Sequence, residues 1–240
     1  MGMSGRRVTA IFRKELREYR RNRSIVATMA VIPLIFILFP LIEIIARPAS
    51  AASGLLQGDP LAYLLGIPAI VPAVVAAYSV VGERQQDTLE SVLTTPIRRE
   101  EFLLGKALAA LVPSLAVAYV VYLFFLVCVE LFARPAVASA AIQGPELLAQ
   151  LLFTPLLAGW SIWIGIAIST RASEVRVAQQ LGMLASLPSV VVTTLIAFNV
   201  IHPTLALAIG LGAVLLVLDG LGWRIVSTMF DRERLITGTR

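Results

Sequence analysis

Residues 25–45 read Ile25-Val-Ala-Thr-Met-Ala-Val-Ile-Pro-Leu-Ile-Phe-Ile-Leu-Phe-Pro-Leu-Ile-Glu-Ile-Ile45, an apolar run of 21 residues holding a single carboxylate. The small-x-small triplet Ala49-Ser50-Ala51 follows and mimics the end of a cleaved secretory signal. The apolar core of such a signal measures roughly 7–15 residues, whereas a bilayer-crossing helix needs about 20. The run is therefore read as an uncleaved first membrane helix. Five further apolar stretches follow, which places six spans at 25–45, 61–81, 107–132, 147–169, 178–201 and 205–223.

Composition agrees with that reading. Of 240 residues, 58% are hydrophobic and 15% are charged, against roughly 45–50% and 25% in an ordinary soluble domain. The fold expected is an all-α integral membrane protein of six transmembrane helices. It divides into a cytoplasmic segment 1–24, a membrane domain 25–223 that includes the long connection 82–106, and a cytoplasmic tail 224–240. Pro48, Pro60, Pro135, Pro145 and Pro203 fall in the expected outer turns, where a missing N–H does little harm. Pro113, Pro155 and Pro188 interrupt spans and are candidate bends. No internal repeat stands out, so an inverted-repeat secondary transporter is not invoked.

Lys and Arg number eight in 1–24, four in 82–106, two in 170–177 and four after Trp223, while the alternate connections hold only Arg47 and Arg134. Eighteen against two places both termini in the cytoplasm, in a multi-pass protein of the cell's inner, or plasma, membrane. The net charge of +5 lies beside the spans, which points to lipid headgroups and topology and away from nucleic acid.

Little in the chain suggests chemistry. Cys128 and His202 are the single cysteine and histidine, so no transition-metal cluster is expected; Cys128 reads as a packing residue and His202, ahead of Pro203, as a turn residue. No Gly-x-x-x-x-Gly-Lys-Ser/Thr loop occurs, so a nucleotide that drives this protein is hydrolysed on another chain. The expectation is of no catalytic residue, no metal and no cofactor bound by the chain itself.

Three segments facing the cytoplasm carry the functional reading. In 6–23, the apolar Val8, Ile11, Phe12, Leu16 and Tyr19 recur at helical spacing, with Arg13, Lys14, Arg17, Arg20 and Arg21 mostly on other faces. That pattern describes an amphipathic helix lying in the headgroup layer, with a topology-setting flank as the alternative. In 82–106, Leu89, Val92 and Leu93 form an apolar strip on a short helix that Pro96 stops, and Glu83, Asp87 and Glu90 supply acidic positions. Such a helix, held parallel to the membrane, would transmit motion to both adjoining spans; an incidental helix in a solvated loop explains the composition as well. The connection 170–180 carries Arg171, Glu174 and Arg176, either as a further contact with a partner or as a topology-anchoring turn. Glu43, Glu130 and Asp219 sit in apolar stretches and are candidates for an ion or substrate path. Glu43 and Glu130 fall near outer ends and Asp219 within about a turn of Arg224, so an interfacial or paired carboxylate is the favoured reading of each. Trp223 suits an interfacial anchor, while Trp160 and Trp163 suit packing between helices or facing lipid.

The run Gly-Glu-Arg-x-x-x-Thr-Leu-Glu-x-x-Leu-x-Thr-Pro-x-x-Arg-x-Glu-x-Leu-Leu-Gly-Lys over 82–106 resembles the signature of type-2 ATP-binding cassette (ABC) transporter permeases. Ile11-Phe-Arg-Lys-Glu-Leu-Arg-Glu-Tyr-Arg-Arg-Asn-Arg-Ser24, leading to Ile32-Pro33-Leu34, resembles their N-terminal segment. The resemblance implies an export permease subunit that pairs with a second, identical permease and with two copies of an ABC ATPase, which would hold the ATP and Mg. It also implies that 85–93 is a coupling helix seated in the ATPase, with Glu83, Thr88, Leu89, Glu90, Val92 and Leu93 at the contact, and that 6–23 is the connecting helix. Gln86 and Asp87 depart from the commoner pattern of an acid and then glycine. With few polar groups in its spans, the expected cargo is hydrophobic or amphipathic: a lipid, drug or antibiotic. A sodium-efflux permease of the same family, a non-transporting scaffold or sensor subunit, and a membrane enzyme are the alternatives.

Overall fold

The computed structural model describes residues 4–48, 50, 60–86 and 98–229. The 85–93 helix of the sequence reading lies for the most part outside these residues, and Thr88, Leu89, Glu90, Val92 and Leu93 all do. Eight helices are described: α1 Gly5–Arg21, α2 Arg23–Ala46, α3 Gly66–Gln85 after a 3₁₀ turn at Pro60–Leu65, α4 Arg99–Phe132, α5 Pro135–Ala141, α6 Gly144–Arg171, α7 Val175–Ala197 and α8 Leu205–Met229. No strand occurs among the described residues. Six helices are long and apolar enough to cross a membrane, which makes this an all-α multi-pass membrane protein. The end of the bundle that carries α1 and most of the Arg and Lys is called here the basic end.

Helix ends depart from the apolar stretches wherever polar capping decides them. The third span was expected to begin at residue 107, but α4 starts at Arg99 and runs 34 residues, about 51 Å at 1.5 Å per residue. That exceeds the roughly 30 Å of hydrocarbon, so its first turns project beyond the slab. They stay helical because Glu101, at the third position, accepts the Arg98 N–H at 3.1 Å, the carboxylate half of a capping box. At the other extreme, α7 ends at Ala197 and not at 201. Asn199 sits at φ 58°, in the left-handed region that Asn tolerates, and the Val200 N–H closes onto the Leu195 carbonyl at 2.9 Å, which satisfies a last-turn acceptor. The short helix α5, begun by Pro135 at its first turn, occupies a connection that the sequence reading left as a turn.

The hub of the bundle is α3. Its apolar window is wholly buried, against 6% for that of α8. The seam between α3 and α6 explains how it fits. Ser161, Gly165 and Ser169 recur every fourth residue on α6, a small-residue stripe of the kind that lets membrane helices approach closely. The Ser161 hydroxyl donates to the Ala69 carbonyl at 2.6 Å. The Ser169 hydroxyl oxygen accepts the N–H groups of Val80 and Val81 at 2.9 and 3.0 Å. Between them, a Cβ on Gly165 would stand 2.4 Å from the Ala73 carbonyl oxygen, closer than any relaxed contact. Replacing Gly165 by Ala is therefore expected to destabilise the protein by roughly 1–3 kcal/mol through overpacking. The same change at Gly182 on α7, whose Cβ would lie 3.3 Å from the same oxygen, should cost less. Thermal unfolding of both variants in detergent checks the order.

Candidate functional site at the basic end

The connection 82–106 leaves α3 and re-enters at α4, and the described residues on both sides of it are anchored. At the α3 side, Glu83 is buried and paired with Lys14 of α1 and with Lys106 of α4 at 3.0 Å. Lys106 is completely buried. Its ammonium donates to Glu15 of α1 at 2.7 Å and to the Ser79 carbonyl at 2.6 Å, and it stands 4.8 Å from the centre of the Phe102 ring. Two lysines and two glutamates from three helices thus neutralise one another, with Glu15, Glu83 and Lys106 buried and Lys14 at the half-exposed rim, which is the condition under which buried charge is tolerated.

Residues of α1 enter this cluster by helical spacing. Val8, Ile11, Glu15 and Tyr19 are buried, at steps of three, four and four that make one continuous edge. Gly105 of α4 receives that edge, since a Cβ there would lie 2.7 Å from Ile11 Cβ. Glu18 of α1 meets Lys14 at 3.3 Å. Burial opposes the charge on Lys14, but the carboxylates of Glu83, Glu15 and Glu18 outweigh it and raise its pKa above the ordinary lysine value. Burial likewise pushes the Glu15 carboxyl above the usual range, against the pull of Lys106. Burial and the neighbouring Glu15 charge push the Tyr19 phenol well up, and its ring packs edge-on to Tyr78 of α3 at 6.2 Å.

At the α4 side, Glu101 is buried and accepts the Ser4 N–H at 2.7 Å and an Arg7 guanidinium N–H at 3.4 Å. The residue after Glu83 ties in the remaining connection: Arg84 donates to the Ala172 carbonyl at 3.0 Å and the Thr170 carbonyl at 3.1 Å, capping the end of α6. The 170–176 turn, with Arg171, Glu174 and Arg176 all exposed, therefore lies beside the root of the long connection. Both connections at the basic end, and α1, meet at Glu83 and Arg84.

The remaining residues singled out from the sequence scatter. On α1, Phe12, Lys14 and Leu16 are half-buried, while Arg13 and Arg17 are exposed; the most buried edge of the helix faces α4, and the headgroup-facing side expected from the sequence is left to the others. Glu43 pairs with Arg47 one turn on, and Glu130 is exposed. Asp219 has no ion pair with Arg224 among the described residues; it packs on Gly159 of α6, where a Cβ would stand 2.9 Å from its Oδ1, an oxygen buried without a hydrogen-bond partner. The intervening chain explains the miss, because Asp219 and Arg224 are five residues apart and so lie on different faces of α8. Trp163 packs edge-on to Trp223 at 5.6 Å. No group of three or more His, Cys, Asp or Glu able to hold a metal occurs among the described residues.

Sequence reasoning passed over Glu15 and Lys106 as ion-cluster members. The signal for Glu15 is its register with Ile11 and Tyr19, which puts a carboxylate on the apolar edge of α1. The signal for Lys106 is its place directly ahead of a long apolar run.

Comparison with curated proteins gives no match. The family model described as "ABC-2 family transporter protein" matches residues 11–175, a stretch that takes in most of α1, the whole 82–106 connection and four of the six candidate spans. With well over half of its length matched, and with the anchored connection at the centre of the match, this chain belongs to the ABC-2 family of transporter membrane proteins, a family whose permeases associate with an ABC ATPase subunit.

Proposed function

We propose that the chain is the membrane-spanning permease of an ATP-driven exporter, performing no chemistry itself. Two identical copies and two ATPase subunits would make the working unit, with both termini in the cytoplasm and ATP and Mg held by the ATPases. The observation that carries this reading is the anchoring on either side of the 87–97 segment. A force applied there reaches α3 through Glu83 and Arg84 and reaches α4 through Glu101, while α1 and the 170–176 turn are bound to the same residues. That arrangement suits a segment pushed by a motor, and the exposed Arg171, Glu174 and Arg176 lie where the same motor would touch again. On this reading the exposed Arg13 and Arg17 of α1 face anionic headgroups.

The cargo proposed is hydrophobic or amphipathic. A sodium cargo would require carboxylates facing a shared path; Glu43 is neutralised by Arg47, and Asp219 packs on Gly159 of α6. The test is reconstitution of the permease with its co-purifying ATPase in vesicles. Amphipathic drugs are expected to stimulate ATP hydrolysis several-fold and sodium to leave it unchanged. Recovery of the intact permease without any ATPase would overturn the proposal in favour of a scaffold or sensor, and stimulation by sodium alone would overturn the cargo.

A further inference from the structure

A cavity of about 350 Å³ lies between α6, α7 and α8, at the end of the bundle away from the basic residues. It is at the small end of the roughly 300–1,000 Å³ typical of ligand sites. Its wall includes Phe153, Leu157 and Trp160 of α6, Val192 of α7, and Leu211 and Leu215 of α8. Its shape follows from the helices. On α6 the lining runs from Ala149 to Trp160 and on α8 from Leu207 to Leu218, in each case about 16 Å at 1.5 Å per residue. A slot of that length accommodates one extended acyl chain along its axis. Its depth also matches one leaflet, half of the roughly 30 Å hydrocarbon core.

Polar groups in the slot are few. The Thr193 hydroxyl donates to the Val190 carbonyl at 3.0 Å, and the Thr204 hydroxyl oxygen accepts the Leu207 N–H at 3.2 Å. The rest of the lining is aliphatic or aromatic apart from the Ser189 hydroxyl and the Trp160 indole N–H, so the body of the slot suits hydrocarbon. At the outer mouth the lining passes through Pro203 and Thr204 into the exposed turn where His202 Nδ1 meets Asn199 Oδ1 at 2.8 Å. The site is therefore apolar along its length and polar at one end. On the same helix, Leu205, Ile209 and Val214 are exposed, which makes the mouth continuous with the bilayer-facing surface.

We propose that this slot binds a single acyl chain of a membrane phospholipid from the leaflet opposite the basic end, with the headgroup at the 199–204 turn. The proposal stands apart from ATP-driven transport, and its test contains no ATPase. The full chain is placed in phosphatidylethanolamine–phosphatidylglycerol vesicles containing a trace of phosphatidylcholine with a mid-chain diazirine, then photolysed and mapped by peptide. Adducts on Phe153, Leu157 and Leu211 are expected to exceed those on Leu205, Ile209 and Leu216 at least threefold. Filling the slot with Ala208→Trp and Leu211→Trp should cut adducts on Phe153 and Leu157 at least fivefold and leave those on Leu205 and Ile209 unchanged. A ratio of one or less in the unaltered protein overturns the proposal, and that ratio decides alone should the filled variant fail to fold. A diazirine sterol that labels the slot as well as the phospholipid does would show a generic apolar gap and overturn it too.

Discussion

Lys106→Met is expected to lower the thermal unfolding midpoint of the detergent-solubilised protein by roughly 10 °C. The substitution preserves much of the side-chain length but removes a cation that is fully buried and bonded to Glu15, Glu83 and the Ser79 carbonyl. Breaking a buried ion pair by deleting one partner costs about 3–5 kcal/mol, because the surviving charge has lost its counter-ion without regaining water. In a chain of this size each kcal/mol moves the midpoint by about 2–4 °C. Lys14 limits the loss, since it already contacts Glu83 and lies 3.6 Å from Glu15. The compensating experiment separates charge from packing: Lys106→Met combined with Glu15→Leu removes one charge of each sign and should recover most of the midpoint. Equal midpoints for the parent and Lys106→Met would show that the cluster does not hold α1 in place.

Substituting Leu89 and Glu90 together by Ala is expected to abolish cargo-stimulated ATP hydrolysis, a fall of at least tenfold, or to release the ATPase outright, while membrane insertion and the unfolding midpoint stay unchanged. Both residues lie within the 87–97 segment, outside the described residues, so the argument comes from its two ends. Glu83 and Glu101 anchor those ends to the same helix, α1. A partner gripping the intervening segment would therefore drive α3, α4 and α1 together, and removing the grip leaves the anchors intact. Transport and ATPase retention both at parental levels in the double variant would sink the coupling assignment. A lowered midpoint would instead place Leu89 or Glu90 in the fold.

The helical architecture was legible because burying backbone polar groups in hydrocarbon leaves a chain few choices, and six apolar runs of the right length declare themselves. The ends were not legible to the same degree. The start of α4 depends on a carboxylate three residues in reaching back to a backbone N–H, and the end of α7 on the left-handed Asn199, neither of which registers in hydropathy. At the basic end, Glu83 was picked out as an acidic position available to a partner, whereas the structure commits it to Lys14 and Lys106. Charge in sequence counts as exposed by default, and only the convergence of three helices turns Glu15, Glu83 and Lys106 inward. Asp219 fails for the complementary reason: its neighbour in the fold is Gly159, sixty residues away in the chain, and no local pattern joins them.

The α3–α6 seam carries a dynamic consequence. Over the nine residues from Ser161 to Ser169 the two helices touch at three successive levels, by hydroxyl, by bare glycine and by hydroxyl again. A slip of even one residue would break every level at once and drive side chains into main-chain atoms. The pair therefore behaves as a keyed joint that moves whole, and shape change during a working cycle falls to the loosely sheathed outer helices, α8 above all.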